Sequence, residues 1–229
     1  MKTIGVVGGI GPESTVDYYR LILASSRKRG IDRGQTVLIN SIDVTRLLDL
    51  AGSDNRGELA DFLLQAVESL ARAGADLALF AANTPHLVFD EVQRRASIPL
   101  VSIVAATCEV AEALGLKRVG LLGTRFTMQG RFYPDVFCSR GVAVVVPGAE
   151  DQAYVHEKYV RELVPGTFQA DTRDGFVRVL DRMRKSDDIE GVILGGTELP
   201  LLLRDIVYPL PLLDTTRIHV EAAVSLAAG

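Results

Sequence analysis

The sequence predicts an α/β protein with parallel sheets, built from two similar units. Three observations carry that reading. Short β-rich runs alternate with longer helical ones along the 229 residues. Most of the short runs are continuously apolar, the pattern of strands covered on both faces. Two features of the first half also recur in the second at nearly equal offsets. Gly5-Val6-Val7-Gly8-Gly9 is echoed 115 residues later by Gly120-Leu121-Leu122-Gly123-Thr124. Leu79-Phe80-Ala81-Ala82-Asn83-Thr84 is echoed 114 residues later by Ile193-Leu194-Gly195-Gly196-Thr197-Glu198.

From the N-terminus, Thr3–Val7 reads as the first strand. One Lys and a short apolar run lead straight into Gly-Gly and a helix start, which is not a signal-peptide pattern. Pro12–Lys28 is the first helix, with Pro12 where a helix best tolerates it. Thr36–Ser41 is a strand. In Asn55–Ala73, residues Leu59, Leu63, Ala66, Leu70 and Ala73 fall on one helical face. Leu77–Ala81, Pro85–Arg95, Leu100–Ser102 and Val104–Leu114 follow as strand, helix, strand and helix. In the second half the expected strands are Arg118–Leu122, Val142–Val146, Gly191–Leu194 and Pro211–Leu213. The expected helices there are Met128–Arg140, Asp151–Leu163, Gln169–Arg184 and Thr215–Ala227.

Composition narrows the function classes. Hydrophobic residues are 48% and charged ones 24%, which suits a packed globule. The net charge of −4 is spread without a basic stripe, so no nucleic-acid partner is expected. The apolar runs are too short to cross a membrane, so no membrane partner is expected either. Cys108 and Cys138 do not make a disulfide framework. Each reads as a buried small hydrophobe in a helix. Cytoplasm is the expected location.

Ligands of open α/β sheets bind beyond the carboxyl ends of the strands, which draws attention to four turns. The first is Gly8-Gly9-Ile10-Gly11-Pro12-Glu13-Ser14-Thr15. Its glycines permit close backbone approach, and a helix start there would attract an anion. Gly9-x-Gly11-x-x-Ser14 is a near miss to a dinucleotide fingerprint. It lacks the acid about 20 residues on, since Asp43 comes later. The second is Ala82-Asn83-Thr84-Pro85-His86, where Asn83 or Thr84 is expected to cap a helix. The third is Gly123-Thr124-Arg125-Phe126-Thr127-Met128. The fourth is Gly195-Gly196-Thr197-Glu198-Leu199-Pro200, where Glu198 is either tuned by burial or exposed in a helix's first turn. His86, His156 and His219 have no metal-site spacing, and no metal is expected.

Six segments in order, GGIGPEST (8–15), ANTPH (82–86), IPLVSI (98–103), LLGT (121–124), GGTELP (195–200) and LLDTTRIH (212–219), resemble the aspartate/glutamate racemase family over nearly the whole chain. The resemblance implies two flavodoxin-like three-layer α/β/α units, related by a pseudo-twofold axis with a cleft between them. It puts residues 1–100 and 208–229 in the first unit and 101–207 in the second. It implies amino-acid racemisation without pyridoxal phosphate or any other cofactor, and a homodimer. The family's two-base mechanism uses one cysteine on each face of the substrate's α-carbon.

The positions matching those cysteines are Ala82 and Gly196, so both thiols are gone. Asn83, Thr84, Thr124, Thr197 and Glu198 match substrate-holding positions, and Gly11 of the first turn is a further substrate-binding candidate. Arg46, in SIDVTR (41–46), is a candidate partner for a distal carboxylate. No basic residue stands near Val164, although Arg161 is one turn earlier. Candidate replacements for the lost bases are His86, Glu198, Glu13 or an activated water. Racemisation is therefore expected to be weak or absent, with little α-deuterium uptake from aspartate or glutamate. The ligand is expected to be a small carboxylate or amino acid. Two alternatives stand beside a racemase: a non-catalytic carboxylate-binding protein, and a paralogue with a one-sided lyase or isomerase reaction.

Overall fold

The computed structural model describes residues 1–31, 34–53 and 55–229. The elements are β1 (Ile4–Gly8), α1 (Pro12–Lys28), β2 (Val37–Ser41), α2 (Val44–Gly52), α3 (Arg56–Arg72), β3 (Leu77–Phe80), α4 (Phe89–Arg95), β4 (Leu100–Val101) and α5 (Ile103–Ala113). They continue with β5 (Arg118–Gly123), α6 (Arg125–Gln129), α7 (Phe132–Ser139), β6 (Ala143–Val145), α8 (Ala149–Lys158), α9 (Ala170–Ser186), β7 (Gly191–Gly195), α10 (Leu199–Leu202), β8 (Leu212–Asp214) and α11 (Thr215–Ala228). A 3₁₀ turn at Thr84–Val88 precedes α4, and a π turn at Tyr159–Leu163 extends α8.

The strands form two four-stranded sheets, β2-β1-β3-β4 and β6-β5-β7-β8. Every pairing is parallel. Helices cover both faces of each sheet. The order is the same in both, so the repeat seen in the sequence is a repeat of topology. The central strands β1, β3 and β7 are buried at every residue, while the edge strands β2 and β6 are half-exposed. That difference explains why the central strands read as unbroken apolar runs.

The chain divides into two compact units, one of Met1–Ala106 with Thr216–Gly229 and one of Thr107–Thr215. In the first, Ile4 and Val6 of β1 and Leu77 and Leu79 of β3 meet Tyr18 and Ile22 of α1. Val220, Ala223, Val224 and Ala227 of α11 complete that cluster. The C-terminal helix thus returns to the N-terminal sheet, and the Lys2 N–H donates to the Ala227 carbonyl at 3.1 Å. In the second unit, Leu122 and Leu194 of the sheet pack with Val155, Tyr159 and Leu163. Phe176, Val179, Leu180 and Met183 of α9 close over them.

A buried polar bridge ties the first unit together. His219 Nε2–H donates to the Val101 carbonyl at 2.9 Å, which leaves Nδ1 to accept from the Tyr18 hydroxyl at 2.8 Å. One neutral imidazole therefore joins α11, β4 and α1. Burial holds its pKa down at about 4.

Four expectations need correction. Two helices were not anticipated, α2 and α10. Asp43 caps α2 by accepting from the N–H groups of Thr45 (2.8 Å) and Arg46 (3.3 Å), and only Leu47 and Ala51 are buried. So short an apolar stripe is weak in sequence. The expected helix Met128–Arg140 is two helices, α6 and α7, with a break at Gly130-Arg131. Cys108 is buried, but Cys138 is exposed. Tyr133 and Phe137, four residues apart, turn one face of α7 inward. The next residue, rotated about 100°, points out. Finally, Asn83 sits in a helical conformation and its side chain makes no capping bond to the 3₁₀ turn. Its carbonyl accepts from the His86 N–H at 2.9 Å instead.

Candidate functional site

Parallel pairing brings neighbouring turns side by side at the carboxyl end of each sheet. In the first unit the Ile42 N–H donates to the Gly8 carbonyl (2.9 Å) and the Ala81 N–H to the Val7 carbonyl (2.9 Å). The turns after β2, β1 and β3 are thereby contiguous. Those turns carry Gly11, Arg46, Ala82, Asn83, Thr84 and His86.

Thr15 organises the first of them. Its hydroxyl accepts from the Gly9 N–H at 2.9 Å and donates to the Gly11 carbonyl at 3.2 Å. Gly9 has φ +81°, and a Cβ there would lie 2.5 Å from the Ile42 carbonyl oxygen. Left-handed backbone and a blocked Cβ both require glycine. Gly9→Ala is expected to cost on the order of 2 kcal/mol or more, read as a lowered urea midpoint at unchanged m. A wild-type midpoint would show that the turn tolerates a side chain. Gly11, also at positive φ (89°), stands at the N-cap of α1, with Pro12 after it. Glu13 is exposed.

Ala82, Asn83, Thr84 and His86 are all buried. The His86 ring is stacked on Phe89 at 4.9 Å between centroids, with Phe80 and His219 at its edges. The Ile103 N–H donates to Nε2 at 3.2 Å, which leaves the ring proton on Nδ1. Desolvation, then the neighbouring His219, lower its pKa to about 3. It is a packed, neutral ring. Arg46 is exposed, with its guanidinium 4.7 Å above the Phe62 ring.

In the second unit β5 and β7 end in register at Gly123 and Gly195. Thr124 caps α6, its hydroxyl accepting from the Thr127 N–H at 3.4 Å. Beside it, His156 Nδ1 accepts from the Arg125 N–H at 3.2 Å. Thr197 and Glu198 are buried, so Glu198 is no exposed first-turn acid. The Thr197 hydroxyl donates to Glu198 Oε2 at 3.2 Å. Arg161 pairs with Glu157 on the surface at 3.1 Å.

Tyr159 is the residue that sequence reasoning missed. A Cβ on Gly196 would lie 2.4 Å from its hydroxyl oxygen and 2.5 Å from ring atom Cε2. The phenol therefore occupies the space that a side chain at 196 would take. It donates to Glu198 Oε2 and accepts weakly from the Glu198 N–H at 3.4 Å. Burial first, and then the adjacent carboxylate, raise its pKa well above the ordinary tyrosine value, so it stays protonated. In the sequence Tyr159 is one of two tyrosines, with Tyr154, on an expected helix. The only clue was that glycine at 196 leaves room for something else.

Among the described residues no cluster of three or more His, Cys, Asp or Glu side chains could hold a metal ion. No helix among them is long and apolar enough to cross a membrane.

Two parallel four-stranded units of the same strand order thus carry threonine- and glycine-bearing turns after corresponding strands. The profile of the Asp/Glu/Hydantoin racemase family matches residues 7–223, and the chain belongs to that family. It is 25% identical to the broad specificity amino-acid racemase RacX of Bacillus subtilis (strain 168), over 97% of this chain and 96% of that one. Among solved structures, an aspartate racemase homologue from Pyrococcus horikoshii OT3 is 37% identical, with a TM-score of 0.84 over the whole of both chains. A putative Asp/Glu racemase from Yersinia pestis is 32% identical, with a TM-score of 0.88 over the whole of both chains.

Proposed function

We propose that this protein binds a small amino acid or related carboxylate at the carboxyl ends of its strands. There it carries out one-sided, cofactor-independent proton chemistry in place of two-thiol racemisation. Family membership supports a racemase-type activity, and the broad-specificity relative favours an amino-acid ligand. Asn83, Thr84, Thr124, Thr197 and Glu198 are the polar groups proposed to hold it. Arg46 is the candidate for a second carboxylate.

Alanine at 82 and glycine at 196 supply no base. His86, the nearest imidazole in sequence to Ala82, is held neutral with Nε2 already engaged. One observation carries the one-sided reading: beside Gly196 a phenol is hydrogen-bonded to a buried carboxylate. That turn thus keeps an ionisable pair beside the position of its missing side chain. This pair revises the expectation of little deuterium uptake, but not that of weak racemisation.

The test is incubation in D₂O with each enantiomer of aspartate, glutamate, alanine and lysine, with binding measured by calorimetry in parallel. At least one amino acid is expected to bind and to gain α-deuterium with its configuration retained. Deuterium confined to the inverted product would indicate two-base racemisation. Binding without exchange would make the protein a binding module.

A further inference from the structure

We propose that Tyr159, backed by Glu198, is the proton-transfer group of the second unit, standing where a side chain at 196 would reach the substrate. This deepens the one-sided reading above and rests on it. Three independent features converge on Tyr159. The phenol oxygen is the atom nearest to an ideal Cβ on Gly196. The hydroxyl is not merely filling space, because it meets Glu198 Oε2, which the Thr197 hydroxyl also reaches. A phenylalanine or leucine would fill the same volume without taking a hydroxyl and a carboxylate out of water. And Tyr159 opens a π turn, closed by the Val164 N–H donating to its carbonyl at 3.0 Å. Such turns insert a residue into a helix and concentrate at functional sites.

The ligand class is an α-amino or α-substituted carboxylate with a proton on Cα. As the Cα–H bond breaks, its proton passes to the phenol oxygen while the phenol's own proton moves to Glu198 Oε2. The electron pair left on Cα delocalises into the substrate carboxylate as an enediolate. While the enediolate persists, the phenol and Glu198 protons exchange with solvent, and the reverse relay returns a solvent-derived proton to the same face. No oxidant, reductant or cofactor is consumed, and configuration is retained.

The experiment compares wild type, Tyr159→Phe and Glu198→Gln for ligand binding and for α-deuterium uptake, using the same eight amino-acid enantiomers in D₂O. Tyr159→Phe keeps the ring in the space beside Gly196 and removes only the hydroxyl. It is expected to bind as wild type does and to exchange ~10²-fold more slowly or worse. Glu198→Gln should show the same loss of exchange. If Tyr159→Phe does not fold, as judged by circular dichroism, Glu198→Gln decides the matter alone. Exchange within threefold of wild type in a folded Tyr159→Phe would overturn the relay and leave the one-sided function standing. Binding by wild type with no exchange would overturn the one-sided chemistry and the relay with it. No binding of any probe would overturn the ligand class as well.

Discussion

Gly196→Cys is expected to destabilise the second unit by ~3 kcal/mol or more, and not to restore a working thiol. The new Cβ would lie 2.4 Å from the Tyr159 hydroxyl and within 2.7 Å of two ring carbons. The ring cannot simply swing away. It belongs to the buried cluster formed with Leu194, Leu163 and Phe176, and it begins the π turn. Moving it also breaks the bond to Glu198 and leaves a buried carboxylate short of a donor. Tyr159→Ala alone opens a cavity, and removal of a large buried aromatic costs about 3–5 kcal/mol. Combined, the two changes are expected to cost much less than their sum, because the cysteine enters the space that the phenol leaves.

Urea midpoints of the two single variants and the double variant measure this coupling. Additive losses would mean that Tyr159 does not hold the space beside position 196. The triple variant with Ala82→Cys carries a thiol at both positions that match the family's cysteines. It is the form expected to gain racemisation, whereas Ala82→Cys with Gly196→Cys alone is expected to fail.

The second large effect is loss of stability in mild acid. His219 and His86 are fully buried and neutral, with pKa values lowered to about 4 and about 3 from an ordinary 6.5. Below pH 6.5 the unfolded chain takes up protons that the folded chain refuses, so stability falls as the pH drops. Each histidine contributes a slope approaching ~1.4 kcal/mol per pH unit until the pH nears its folded value. Between pH 6.5 and 5 most carboxylates have not begun to titrate, so the two imidazoles dominate the slope. Urea denaturation across that window should show a loss on the order of 2–3 kcal/mol for the pair. His219→Gln, whose amide can still donate to Val101 and accept from Tyr18, should remove about half of the slope. A flat profile in wild type would mean that the imidazoles are not held neutral by burial.

Much of the fold was legible because it rests on local patterns. All eight strands among the described residues were expected within one residue at each end. Burial on both faces leaves a continuous apolar run, and Gly-rich turns mark where each run ends. The half-exposed edge strand β6 was expected one residue too long at each end. The short helices α2 and α10 escaped because one buried stripe of two or three residues gives no periodicity to count.

The site was legible in part. The four turns were found from their glycines, threonines and prolines, and each lies at the carboxyl end of a central strand. Burial of Glu198 was one of two readings that sequence left open, and tertiary packing decided between them. Tyr159 was not legible, because its place beside Gly196 depends on a π turn 37 residues earlier in the chain. Nothing in local pattern links the two positions. His86 illustrates the converse. It stands in the right turn, yet its ring is stacked on Phe89 and its acceptor nitrogen is engaged by a backbone N–H.

The most direct measurement follows deuterium and configuration together in one wild-type reaction, with chiral separation before mass analysis. A one-sided proton relay returns solvent deuterium to the face it came from. The expected result is deuterium accumulating in the recovered starting enantiomer, with inversion at least ~100-fold slower, the low end of what one absent general acid–base group costs. Deuterium appearing only in the opposite enantiomer, at the rate of inversion, would contradict it.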